Sequence, residues 1–377
     1  MGTMQTVNLL RTIAMLGFLT YLASAPAHAQ SEWKKQWEAT VDAAKKESEV
    51  TIYGPHNPVY QQVWTIFQKS YPEIKFNFVP GKGSDHAQRI VAERRAGKFL
   101  ADLLMGGSST FAAFVPGTLE PLKPLLILPE VTDPAAWFGG KFYFADLQDN
   151  AALIISGEIG TRRGSYNTKL VDPKEIQSWW DLLQPKWKGK LGSFDPRVAG
   201  GGGETFLFFY YTPSLGQKFI TRILTETDMV LTRDLQQGTD WLWQGKILFY
   251  IGSGQPVMKA KKQGLPVDLM PHALKEGDIM GGGSCCMAVV SKAPHANATK
   301  LFVNWILSKE GQSAWQKYTE VNSLRVDIPK NDLPADDVPQ KGVNYFMLNS
   351  SKYNDQAGRK ALHQIVEEAL RKVGKGT

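Results

Sequence analysis

Cysteine is almost absent from this 377-residue chain: the only two are Cys285 and Cys286, side by side. Adjacent residues hold their Cα atoms about 3.8 Å apart across a trans peptide, below the usual disulfide range of roughly 4.4–6.8 Å. A disulfide framework is therefore excluded, and the run Ser284–Val290 reads as a strand carrying small buried thiols. Histidine is scarce too, six in all, and none follows a metal-ligand spacing. There is no Gly-x-Ser-x-Gly elbow, no His-Glu-x-x-His, and no phosphate loop ending in Gly-Lys-Ser/Thr; Gly81-Lys82-Gly83-Ser84 has the wrong order for the last. Those absences argue against an enzyme, leaving a hydrolase with dispersed catalytic residues as a remote alternative. No block of basic residues of the kind nucleic-acid binders carry is present, although Lys and Arg exceed Asp and Glu by 43 to 36. Internal repeats and low-complexity tracts are also missing.

Long apolar runs are lacking, with one short exception at the start. Arg11 precedes a largely apolar, uncharged stretch, Thr12–Ala25, and Ala27-His28-Ala29 ends in the small-x-small pattern of a signal-peptidase site. That stretch falls short of the ~20 residues needed to span a bilayer. Residues 1–29 are expected to be a cleaved export signal, giving a periplasmic chain from Gln30 onward. Loss of Arg11 lowers the formal charge from +7 to +6. A mature chain this long exceeds one ordinary core, since cores split above ~250–300 residues, so two lobes are expected.

What is present is a repeated order of strand, Gly/Ser loop and helix. Trp33, Trp37, Val41 and Ala44 recur at helical spacing, Val50–Tyr53 is a short apolar strand, and Val59, Val63 and Phe67 mark a second helix that stops at Tyr71-Pro72. Ile74, Phe76 and Phe78 alternate as a strand does, and a helix over 85–96 ends at Gly97. The same grammar returns at Leu191–Phe194 with the Gly-rich stretch 195–203, and at Lys246–Ile251 with Gly252-Ser253-Gly254. It specifies α/β lobes with mostly parallel sheets. Ligands in such folds settle beyond the carboxyl ends of the strands. The candidate binding residues are therefore His56 and Asn57; Lys82, Gly83 and Ser84; Gly107, Ser108 and Ser109; Gly201 and Gly202; and Tyr250 and Ser253. Arg197 offers a planar fork for a carboxylate or phosphate, and Arg325 a second cation on the hinge side. Each has a bland alternative: Arg197 can pair with Asp195, Arg325 with Asp327, and His56 can be a plain loop residue.

Several ordered segments carry a resemblance. Val50-Thr51-Ile52-Tyr53-Gly54, Ala101-Asp102-Leu103-Leu104, Tyr166-Asn167-Thr168-Lys169-Leu170, the stretch Trp180–Gly192, Leu301-Phe302-Val303-Asn304-Trp305 and Asn322-Ser323-Leu324-Arg325 together resemble the bacterial extracellular solute-binding proteins of the ferric-ion and related type. The resemblance implies a two-lobed type II periplasmic-binding-protein fold, each lobe a mixed, mostly parallel sheet flanked by helices. It implies residues 30–140 and 267–318 in one lobe, with 141–266 and 319–377 in the other. It also implies a monomeric receptor without a cofactor, a small-molecule solute held by hinge closure, and docking on an ABC-importer permease in the inner membrane. Iron-binding members hold metal with paired tyrosines near Phe249-Tyr250-Ile251-Gly252 and an acid near Met105-Gly106-Gly107-Ser108. This chain has one tyrosine and no acid at those places, so a small organic anion is expected, with ferric ion as the alternative.

Overall fold

Apolar side chains at helical and strand spacing build two separate sheets, each with its own core. The computed structural model describes residues 32–112, 114–159, 164–198, 201–252, 254–271, 274–353 and 355–376. The expected export signal, 1–29, and Ser253 lie outside them.

In the first lobe, helix α1 (32–47) buries Ala44 and rests Trp37 and Val41 on the core. Strand β1 (Glu49–Gly54) follows, then α2 (Tyr60–Ser70), whose buried face is Tyr60, Val63, Trp64 and Phe67. Next come β2 (Lys75–Pro80), α3 (Gly83–Arg95), β3 (Leu103–Gly106), and the short helices α4 (Ser108–Ala112) and α5 (Pro129–Thr132). Strand β4 (Leu153–Ile154) closes this part.

The second lobe holds β5 (Ser165–Asn167), β6 (Leu191–Phe194), α6 (Gly201–Tyr211), α7 (Gly216–Glu226), β7 (Val230–Thr232), α8 (Leu235–Trp243), β8 (Phe249–Ile251), α9 (Gly254–Lys262) and β9 (Val267–Leu269). The chain returns through β10 (Asp278–Met280) to β11 (Cys286–Val289), α10 (Ala296–Leu307) and α11 (Lys309–Thr319) of the first lobe. Finally β12 (Tyr345–Met347) leads to α12 (Gln356–Lys372), which packs on α6 and α7 of the second.

The two sheets share one plan. Their orders are β2-β1-β3-β11-β4 and β7-β6-β8-β5-β9. Three parallel strands come first in each, and the fourth strand then runs antiparallel to both its neighbours. Three expected lobe boundaries shift. The segment around Leu324 and Arg325, expected in the second lobe, packs on the first, where Leu324 joins the core and Arg325 bonds Leu307 O. Val267–Leu269 pairs with β5 in the second sheet, and Leu153–Ile154 pairs with β11 in the first. Strands of two or three residues carry too little pattern to say which sheet they join.

Between the lobes lies a parallel pair, β10 with β12. Successive strand residues point to opposite faces, and here the two faces belong to different lobes. Met280, Tyr345 and Met347 join the first lobe's core, while Ile279, Phe346 and Leu348 join the second's. Among the described residues no helix is long and apolar enough to cross a membrane.

Candidate functional site

The chain passes between the lobes along three segments, and hydrogen bonds tie them side by side. Ile155 N donates to Cys285 O at 2.9 Å, Gly281 N to Glu158 O at 2.9 Å, Gly157 N to Asn322 O at 2.9 Å and Leu324 N to Ile155 O at 3.0 Å. A cavity of about 290 Å³ opens against them. Ser156, Gly157 and Glu158 line it from the first crossing, and Gly282, Gly283, Ser284 and Cys285 from the second. The first lobe supplies Asn57 from the β1–α2 loop, Tyr60 from the start of α2, and Trp315 and Thr319 from α11.

Local structure positions each wall. Asn57 Oδ1 accepts from Val59 N at 3.2 Å, which turns the chain into α2 and places Tyr60 on its first turn. The Tyr60 ring stacks on Trp315, centroids 5.0 Å apart and planes 24° apart. Burial pushes the Tyr60 phenol above its ordinary pKa, while Ser284 and Asn57, within hydrogen-bonding reach, pull it back. It is thus a neutral donor at neutral pH. Close approach of the lobe-1 loops to the second crossing needs glycine: a Cβ on Gly107 would come within 2.6 Å of Gly283 O. Trp315 Nε1 and both polar atoms of the Asn322 amide are buried without hydrogen-bond partners among the described residues. Such groups cost about 1–3 kcal/mol each when left unpaired, so a polar solute that supplied partners would gain by it. Trp315 lines the cavity, and Asn322 directly follows the lining residue Val321.

Among the described residues, the other sequence candidates do not line this cavity. His56 and Lys82 are exposed, on the loops before α2 and α3. Gly83 and Ser84 open α3, with Ser84 Oγ donating to Asp85. Ser108 Oγ accepts from Asn349 Nδ2 at 2.9 Å, joining the first lobe to the segment after β12. Ser109 and Ser84 line a separate groove between α3 and α4. Gly201 and Gly202, expected in a loop, instead begin α6, where a Cβ on Gly202 would collide with the Phe194 carbonyl.

Three expectations are corrected. The Arg197 fork closes on Asp195 through two 2.9 Å bonds and faces Glu367 of α12 at 3.6 Å, so it is engaged inside the second lobe. Arg325 has no exposed surface: it binds Asp327 through two 2.8 Å bonds and Leu307 O through a third. Tyr250 is buried under α8, its ring against Gly238 and Gly252, and burial raises its phenol well above the ordinary range. A fourth concerns the cysteines. Cys285 and Cys286 are joined by a disulfide, their Cα atoms 3.8 Å apart. The Cα range that excluded it describes distant partners, whereas neighbours close a small ring through their shared peptide bond.

Sequence reasoning reached Asn57 but missed Tyr60, Glu158, Ser284 and Trp315. Tyr60 and Trp315 sit at helical spacing among core aromatics and read as packing. Ser284 was findable, because Gly281-Gly282-Gly283-Ser284 is a Gly/Ser run like those that marked the other loops.

Residues 62–339 match the bacterial extracellular solute-binding proteins. The chain belongs to that family. Its members bind solutes and are not enzymes, so the chain is a solute-binding protein. A Haemophilus influenzae protein described only as uncharacterized is 25% identical over 337 residues, covering 86% of this chain and 91% of its own. Solved structures share the two-lobed fold. Apo FutA2 from Synechocystis PCC6803 superposes with a TM-score of 0.64 at 13% identity, over 85% of this chain and 98% of its own. Ferric iron-binding protein A of Mannheimia haemolytica, in an open conformation, gives 0.63 at 14%, with 85% and 98% covered. AfuA from Actinobacillus pleuropneumoniae, with fructose-6-phosphate bound, gives 0.52 at 21%, with 86% and 98% covered.

Proposed function

We propose that this protein is the periplasmic receptor of an ABC-type importer and that its solute is a small hydroxylated organic anion. The observation that carries this reading is the cavity at the crossings, where Asn57, Tyr60, Ser284 and Glu158 bring hydroxyl, amide and carboxylate groups together. Glu158 accepts hydrogen bonds and repels an anionic group, so it suits the hydroxyl end of a solute. The Asn57 amide, the Tyr60 and Ser284 hydroxyls and the unpartnered Trp315 indole N–H are donors for its anionic end. A net charge of +6 for residues 30–377 agrees in sign. Among similar structures, one holds fructose-6-phosphate and another iron with citrate.

Ferric ion is the second reading, favoured by the phenol of Tyr60 and the carboxylate of Glu158 in one cavity, both oxygen donors of the kind a hard cation takes. Native mass spectrometry of protein purified without refolding separates the two, followed by melting curves with fructose 6-phosphate, citrate and ferric citrate. The expected result is an organic adduct, or a raised melting temperature with fructose 6-phosphate or citrate alone. Asn57→Ala should then weaken that binding by about 1 kcal/mol, the worth of one hydrogen bond. Recovery of one tightly held iron with a tyrosinate-to-iron absorption band would reverse the choice.

A further inference from the structure

Cys285 lines the cavity, and Cys286 is the first residue of β11, so their disulfide lies where the second crossing enters the first sheet. Gly281, Gly282 and Gly283 precede them, three residues with no side chain to pack and with wide backbone freedom. Gly281 and Gly282 are buried against Leu348 and Glu158, and hydrogen bonds hold the run in place. Gly281 N bonds Glu158 O, Gly282 N bonds Asn349 Oδ1 at 2.8 Å, and Cys285 O receives Ile155 N. The disulfide adds a covalent one, closing a ring around the peptide bond that carries the Cys285 carbonyl. The hydrogen bond from Ile155 to that carbonyl is the one that joins the first crossing to the second at the cavity.

We propose that the Cys285–Cys286 disulfide is a reducible modification site in the wall of the solute cavity, acted on by a dithiol reductant. Closed, the ring fixes the junction of the two crossings and the shape of the cavity. Opened, it frees the glycine run and weakens solute binding. This rests on the cavity being the solute site. The chemistry is thiol–disulfide exchange. Cys285 is 2% exposed and Cys286 0%, so a sulfur is reached only when the crossings part. A thiolate of the reductant then attacks it, forming a mixed disulfide, while the other sulfur leaves as thiolate and takes up a proton. The reductant's second thiol then displaces the remaining protein sulfur. Two electrons and two protons pass to the protein, which ends as two thiols, and the reductant ends as its own disulfide. An oxidising compartment keeps the ring closed until such a dithiol arrives. By linkage, whatever factor of affinity is lost on reduction is the factor by which bound solute resists reduction.

The test compares the full chain, isolated without reductant, with the same chain treated with dithiothreitol. Iodoacetamide labelling under unfolding conditions should give no adduct in the first and two in the second. Hydrogen exchange should speed up at residues 155–158 and 281–286 after reduction, with β6 and β8 unchanged. Whichever of fructose 6-phosphate, citrate and ferric citrate stabilises the oxidised chain should bind about fivefold or more weakly to the reduced one. Cys285→Ser reproduces the open ring without reductant. Since that variant can fail to fold, reduced wild-type protein decides. Two free thiols in protein isolated without reductant, or identical exchange in both forms, would overturn the proposal. Failure of all three compounds to bind either form counts against the cavity as solute site, while the exchange data still decide the redox site.

Discussion

Arg325 brings a full positive charge to a place with no exposed surface, and it is tolerable only because its donors are met. Asp327 takes two of them, Leu307 O a third, and the Trp137 ring lies 5.6 Å from the guanidinium carbon. Asp327→Ala should therefore destabilise the first lobe by about 2–3 kcal/mol. That is less than the ~3–5 of a wholly buried pair, because Asp327 itself is partly exposed. Urea unfolding measures it, and a loss under about 0.5 kcal/mol would mean that Glu130, 3.6 Å away, suffices as partner. The pH dependence has a definite sign. Hydrogen bonds from Arg325, and then Lys309, hold the Asp327 carboxyl down at about 2. A depressed carboxyl stabilises the fold above its unfolded pKa of about 3.9 and loses that contribution as pH falls toward 2. Wild-type and Asp327→Ala stabilities should accordingly converge between pH 4 and about 2. Arg197 follows the same logic, and both arginines find their acid two residues away in the chain, Asp195 and Asp327. Those pairings were visible in the sequence as the plain alternative to a ligand role. Choosing between them required knowing that both side chains point into a lobe rather than into the cleft.

Helix α12 shows how an element is secured to its lobe. Leu362, Val366, Ala369 and Leu370 form its buried stripe, and Asp355 caps its start by accepting from Gly358 N and from the Tyr211 hydroxyl. Asp355→Ala removes the cap and the partner of Tyr211 together, so a loss of about 1–2 kcal/mol is expected, at the upper end for caps. Circular dichroism through urea unfolding would check it; an unchanged midpoint would show that α12 is held by its apolar stripe alone. The Tyr211 hydroxyl bond and the Gly358 amide hold the Asp355 carboxyl below its usual range, so this contribution too fades as acid protonates it. Elements of this length were legible because four or five apolar residues at helical spacing leave no competing pattern. Helix α2 emerges at its expected place for that reason. The short strands were not legible in the same way. Val267–Leu269 alternates like any strand, but three residues do not encode a partner, and the chain's approach from β8 and α9 decides it. Of the cavity lining, the sequence candidates include Asn57 alone, and its aromatic wall is indistinguishable from core until α2 and α11 are seen to meet.

At the scale of the whole molecule, the β10–β12 pair is the joint. Each strand gives one face to each lobe, so the lobes cannot slide past it without unpacking Phe346 or Met347 from their cores. Rotation about the crossings is the softer movement, since Gly157, Gly282 and Gly283 lie along them beside the cavity. A solute bridging these segments and the second lobe contacts more protein when the lobes close, and it shifts the population toward closure by that difference in affinity and no more. The expected outcome is a smaller radius of gyration by small-angle scattering once the solute is added, together with a melting temperature that rises with its concentration. A rise in melting temperature at constant radius would mean that the solute is held by the first lobe and the crossings alone. That outcome has a structural basis, because every residue named in the cavity belongs to the first lobe or to a crossing. The experiment thus separates a clamp that closes on its solute from a pocket complete within one lobe, and Asn57→Ala should weaken binding in either case.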